Sequence, residues 1–240
     1  MELNTESKFH RLVAKWLIRF KRIKQVPVDI NIANELVAPE LPVSFAISIP
    51  SGTGDLEVQD VRFHLDEHKD VITADILCHF TVSVAGTAIY KTYLHLVLDG
   101  GLAYSREEKT ITPTEVKVRT LQLIENKSSM IKDTRELLIS YLPEQLKTLF
   151  ISSFVMTDAI LKRVGINDLT KYLTLYLSGS KQRILDYHHQ EIENTIIHYV
   201  DSGTFSYLMD ETVFEEQLFA EYGQDVVISD GHIYFIFHQE

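Results

Sequence analysis

A single cysteine in 240 residues leaves no partner for a disulfide within the chain and removes any Cys-rich metal site. Cys78 lies in an alternating apolar run and reads as a buried structural thiol. Glycine and proline are scarce, with 10 and 6. No Gly-rich phosphate loop, no Gly-x-Ser-x-Gly elbow and no His-Glu-x-x-His helix occurs. The chain lacks the ~18 consecutive apolar residues that a membrane-spanning helix needs. Its first 25 residues also lack a secretory apolar run with a small-residue cleavage site. As written, the chain is expected to start in the cytoplasm or at a membrane surface, or in the periplasm if a leader was removed ahead of Met1. Against these absences stand 12 Phe and 11 Tyr in a length that suits one large domain, so a core can form.

Positive charge is scarce everywhere except at one end. The net charge is −11, yet residues 1–25 hold seven basic side chains against two acidic ones, so the remainder carries about −16. An acidic body argues against nucleic acid as a partner, because phosphate contact needs a basic surface. The basic end is a candidate contact with something anionic.

That end reads as a helix over residues 1–25. Phe9, Leu12, Val13, Trp16, Leu17, Phe20 and Ile23 recur at steps of three and four, with Ser7 as N-cap and Pro27 marking the end. Two placements fit this amphipathic segment. It could lie on an anionic bilayer through Lys15, Trp16, Arg19, Phe20, Arg22 and Lys24. Alternatively, its stripe packs on the domain's own core, as most such helices do, and the basic face is solvated.

Residues 26–240 read as one α+β domain. From about Val26 to Leu123 the period is two. Strands are expected at Val28–Ile32, at Val43–Ile49 and, over thirteen residues, at Ile72–Val84. Parity continues through Tyr90, Leu94, Leu96 and Leu98. It slips by one between Leu56/Val58 and Val61/Phe63/Leu65, which predicts a β-bulge at Gln59–Asp60. Turn signals at 51–55, 66–70, 85–87, 99–101 and 105–109 imply an antiparallel meander, and strands this long coil rather than stay flat.

From about Asp133 the period becomes 3.6. Leu137, Leu138, Tyr141, Leu142, Leu146, Leu149, Phe150 and Phe154 form one stripe, interrupted by Pro143. Asp168 can cap a short helix through Tyr176 and Leu177. A further helix presents Ile184, Leu185, His188, Ile192, Ile196 and Tyr199 and stops at Gly203. A short strand at Phe205–Leu208 and a small helix through Phe214, Leu218 and Tyr222 follow. The end is a hairpin about Asp230–Gly231.

Candidate metal ligands are few. His64 and His68 have helical spacing in a segment that reads as strand and turn, so they do not converge. His188 and His189 diverge by about 100 degrees on a helix. The first belongs to the apolar stripe and the second to solvent. Ser105–Lys109 reads as a mixed-charge strand connection without acid/base character.

The segments Leu56–Leu65 (LEVQDVRFHL), Leu96–Tyr104 (LVLDGGLAY) with Ser105–Lys109, Phe205–Leu208 and Val226–Ile233 resemble the YceB-like bacterial lipoproteins. That family is similar in fold to the tubular lipid-binding (TULIP, BPI-like) superfamily. The resemblance covers roughly half the chain and rests on strand pattern, with no catalytic signature. It implies a long, strongly curved antiparallel sheet wrapped around a long helix, with apolar-ligand binding as the activity. The family's lipid-bearing cysteine has no counterpart here, and the section around 124–190 reads as an added helical insertion.

The expectation is therefore a non-catalytic binding protein for a lipid or other elongated apolar molecule, without cofactor or metal. Ile72, Ile76, Phe80, Val82, Leu94 and Leu96 on the sheet would face Leu142, Leu146 and Phe150 on a helix. Burial at about 0.8 kcal/mol per CH₂ lets an acyl chain bind without a polar handle. The alternative is an interaction protein with a solid interior, working through its basic N-terminal helix. An enzyme ranks last because no converging titratable groups are visible, and the oligomeric state is left open.

Overall fold

Alternation alone makes the central strand. In β4 (Val71–Val84), Ala74, Ile76, Cys78, Phe80, Val82 and Val84 are buried, while Asp75, Leu77, His79, Thr81 and Ser83 between them are half-exposed. A computed structural model describes this strand among residues 13–49, 52–66, 69–84, 86–124, 129–130, 175–176 and 180–238.

The other strands are β1 (Gln25–Val28), β2 (Val43–Ile49), β3 (Gly52–Asp66), β5 (Thr87–Ser105), β6 (Thr110–Leu123), β7 (Ser129–Met130), β8 (Tyr207–Leu208), β9 (Asp225–Ser229) and β10 (His232–Ile236). The helices are α1 (residues 13–19), α2 (Ile30–Val37), α3 (Lys181–Asp201) and α4 (Phe214–Tyr222). The large sheet runs β2-β3-β4-β5-β6-β8, all antiparallel, with β7 added beside β5. It curls into a half-barrel, so the chain is α+β as expected. A second sheet, β1-β10-β9, shares no strand pairing with it and packs against β5.

The concave face collects one core. Ile184, Leu185, His188, Ile192, Ile196 and Val200, spaced by three and four, form the buried stripe of α3. The helix contacts both β2 and β6, so it spans the opening of the curl. The predicted bulge is present: register shifts between Val58 and Asp60, and residues on both sides of it keep facing inward. A second core gathers Ile18, Met209, Leu218, Phe219, Ala220, Val226, Ile233 and Phe237. Phe219 is its hub, with ring centroids 4.2 Å from Phe235 and 4.5 Å from Tyr104.

Several expectations change. Asp99–Gly101 is no turn, because β5 runs straight through it for 19 residues. The glycines instead permit close approach to β6: a Cβ on Gly100 would meet Val116 Cγ2 at 3.0 Å, and the register shifts between Asp99 and Gly101. The strand expected through Ile32 ends at Val28, where the Asp29 carboxylate accepts from Asn31 N–H at 2.9 Å and caps α2. The first helix stops at residue 19, well before Pro27, which lies inside β1. Lys21 closes it in a left-handed conformation (φ 57°), with Lys21 N–H bonding Ile18 O and Arg22 N–H bonding Leu17 O, a Schellman motif. Its buried side chain is Ile18, helped by Ala14. Of the stripe, Val13, Trp16 and Phe20 are exposed, Leu17 is half-buried and Ile23 packs against the second core. Most of the stretch expected as helical insertion lies outside the described residues, with α3 formed at its end as read.

Beyond the bulge β3 outruns β2, whose last pair is Val43 with Val58. There the Asn34 side chain of α2 takes the place of a strand. Its Oδ1 accepts from Phe63 N–H at 2.7 Å and its Nδ2 donates to Phe63 O at 3.1 Å.

Replacing Asn34 by Leu leaves two half-buried backbone groups of Phe63 unmatched and is expected to cost about 1–3 kcal/mol in urea unfolding. Lys21→Gly removes a left-handed L-residue and is expected to stabilise by about 0.5–1 kcal/mol in the same assay.

Candidate ligand-binding site

The concave face is assembled by register. Val82 pairs with Tyr90, Phe80 with Thr92, Cys78 with Leu94 and Ile76 with Leu96, so all eight side chains share one surface. Five of the six sheet residues expected at a ligand site, Ile76, Phe80, Val82, Leu94 and Leu96, lie together here in the first core. Ile72 is on the same strand but packs against the second core. Leu142, Leu146 and Phe150 fall outside the described residues. The helix side chains that meet this face are Ile184, Leu185, Ile192 and Ile196 of α3.

Polar atoms enter this apolar space at one end. The Tyr90 ring, 2 % exposed, stands edge-on to Tyr176 at 5.9 Å and to Phe80 at 6.5 Å. Its hydroxyl is buried and makes no hydrogen bond among the described residues. Burial pushes the phenol above its ordinary range. Thr92 offsets part of that shift from the same face, yet it lacks the geometry of a hydrogen bond to Tyr90. Tyr176 Oη and His188 Nε2 share a hydrogen bond of 2.5 Å. Burial lowers His188 to about 4 and raises the Cys78 thiol to about 12, so both are neutral near pH 7. This end therefore offers neutral hydrogen-bonding groups in apolar walls.

Sequence reading placed His188 on the apolar stripe and His189 in solvent, and both are found so. His189 reaches Glu193 at 3.9 Å and is half-exposed. Tyr90 was legible as an inward position from its parity with Leu94. Its unmatched hydroxyl was not, because a hydrogen bond depends on which distant residues arrive.

Other polar clusters lead elsewhere. On the convex face Asp75 shares a hydrogen bond with His95 at 3.1 Å and lies 3.3 Å from the His64 ring, and Gln122 reaches the far nitrogen of His95 at 3.2 Å. His68 lies outside the described residues. No group of three or more His, Cys, Asp or Glu among the described residues has the arrangement to hold a metal ion. A partly open cleft of about 380 Å³ lies at the rim of the second core, between Pro27–Ile30, Leu65, Gly231 and His232. Its polar members are engaged, Asp29 in capping α2 and His232 Nδ1 with Asp230 O at 2.8 Å.

The proposed membrane contacts are split by the fold. Lys15 Nζ is held by Glu221 at 2.7 Å against the body. Trp16, Arg19, Phe20, Arg22 and Lys24 are all exposed.

His188 makes stability depend on pH. The unfolded imidazole takes a proton near pH 6.5 and the folded one only near 4, so this contribution is fully present above 6.5. It is lost as pH falls from 6.5 to about 4, by on the order of 3 kcal/mol. Thermal melts at neutral pH and at about pH 4.5 should therefore show a smaller drop for His188→Leu than for the unaltered protein.

No protein-family model matches the chain, and no curated protein matches it.

Proposed function

We propose that the protein is a non-catalytic binder of an elongated amphiphile, held between the concave sheet and α3 with its polar end at Tyr90. The observation that carries this reading is the Tyr90 hydroxyl. A buried donor without a partner costs about 1–3 kcal/mol, and a phenylalanine would fill the same space without that cost. A ligand oxygen accepting from Tyr90 removes the penalty only in the bound state. The surrounding Val82, Phe80 and Leu94 suit an acyl chain, since each buried methylene contributes about 0.8 kcal/mol. The neutral state of His188 supports the same reading, because a charged imidazole would oppose an apolar occupant. The strand-pattern resemblance to the YceB-like and tubular lipid-binding proteins points the same way.

A purely structural interior is the rival reading, favoured by the direct packing of Ile192 and Ile196 on the sheet. Tyr90→Phe separates the two. If the hydroxyl serves a ligand, the variant is more stable by about 1–3 kcal/mol, yet it takes up a fluorescent fatty acid about tenfold more weakly. Native mass spectrometry of protein purified without delipidation should show an acyl-bearing adduct. A clean mass, no uptake by either protein and a less stable Tyr90→Phe would together remove the ligand.

A further inference from the structure

We infer that residues 13–24 form a rigid docking surface for an anionic phospholipid bilayer, with Trp16 and Phe20 entering the interface and Arg19, Lys21 and Arg22 meeting lipid phosphates. This goes beyond ligand storage, since it concerns the outer surface of the second core and not the half-barrel.

Exposure gives the first reason. Trp16 is 56 % and Phe20 58 % exposed, on neighbouring turns, with ring centroids 4.8 Å apart. Val13 beside them is 37 % exposed. Two large rings held together in water are costly on a soluble surface and suited to the headgroup boundary. Charge gives the second. Residues 13–24 contain five cations and no carboxylate, in a chain whose net charge is −11. Lys15 is tied to Glu221, while Arg19, Lys21 and Arg22 are exposed and make no ion pair among the described residues. The acidic remainder as a whole is repelled by phosphate, so this basic patch is suited to face an anionic surface and the approach is oriented. Nucleic acid shares the phosphate chemistry but offers no apolar layer for a Trp–Phe pair.

Rigidity gives the third reason. Ile18 anchors the segment in the second core, Phe237 N–H bonds Lys24 O at 2.8 Å, and His238 Nε2 meets Ile18 O. The surface is formed before it meets lipid, so binding carries no helix-ordering cost. Lys21 fits this picture: it occupies a left-handed position that the backbone would give to glycine, and it keeps a cation there. No helix among the described residues is long and apolar enough to cross a membrane.

Trp16 is the single tryptophan, so its emission reports on this patch alone. The full chain is titrated with phosphatidylcholine vesicles and with vesicles that also contain phosphatidylglycerol. The expected result is a blue shift and co-sedimentation with the anionic vesicles only, weakened by salt. Removing two charges with Arg19→Gln and Arg22→Gln should lower partitioning about 25-fold, at roughly fivefold per cation. Phe20→Ser should reduce the blue shift, and all variants should retain the parent melting temperature because these side chains are exposed. Unchanged emission with anionic vesicles overturns the proposal, as does equal binding to both vesicle types. A shift that follows protein concentration without lipid assigns the patch to a second copy and overturns it too. Fatty-acid uptake at Tyr90 is measured separately, so failure here leaves the interior reading untouched.

Discussion

Everything in this molecule is hung on one strand. β5 hydrogen-bonds β4 along Thr87–Gly100 and β6 along Leu94–Ser105, and its two ends serve different cores. Tyr90, Leu94 and Leu96 project into the half-barrel, whereas Leu102 and Tyr104 project into the cluster around Phe219. Strands of this length twist steadily, and that twist turns its far end away from the first core. Two glycines and a register shift let the strand change partners without stopping. Neither core has an independent frame, so disruption at Leu96 should be felt at Phe219.

The half-barrel follows from how the strands are paired in sequence order. From β2 to β6 each strand folds back on its predecessor, which keeps the interior accessible to a helix arriving late in the chain. α3 fills that role by meeting β2 and β6, elements separated by most of the sheet. A helix that closes a curl places its first turns at one end and its last at the other. Polar Tyr176 and His188 gather at the former, and Phe45, Tyr199 and Phe205 at the latter, with Phe45 and Tyr199 rings 4.7 Å apart. The interior is therefore chemically different along its axis, which a symmetric apolar filling would not be.

Much of this was legible in the residues. Period-two runs located β2, β3 and β4, and the parity slip at Gln59–Asp60 located the bulge, because alternation is imposed by the pleat itself. Ile184 to Val200 gave α3 for the equivalent reason at period 3.6. Local chemistry with two meanings was harder. Asp99-Gly-Gly signals a turn or a close approach, and only the arrival of Val116 decides which. Val28-Asp-Ile alternates like a strand until Asp29 caps a helix. Five of the sheet residues expected at the site share a face, but of the site's polar members Tyr90 lies far in sequence from Tyr176 and His188, which are 12 residues apart. No spacing rule could have joined them. For the first helix, apolar periodicity located the element but left open whether its stripe meets lipid or the core, and the stripe divides, with Trp16 and Phe20 outward and Ile23 against the second core. Ile18, which lies off that stripe, is the fully buried side chain of the segment.

The Asn34 amide has a meaning beyond holding α2 in place. Past the bulge, β3 would otherwise present a bare ribbon of donors and acceptors, the kind of border on which a strand from another molecule can be laid. An amide side chain occupies that border at Phe63 and brings a helix with it. The half-barrel can thus remain open at one side and still be guarded against growing by addition of foreign chains.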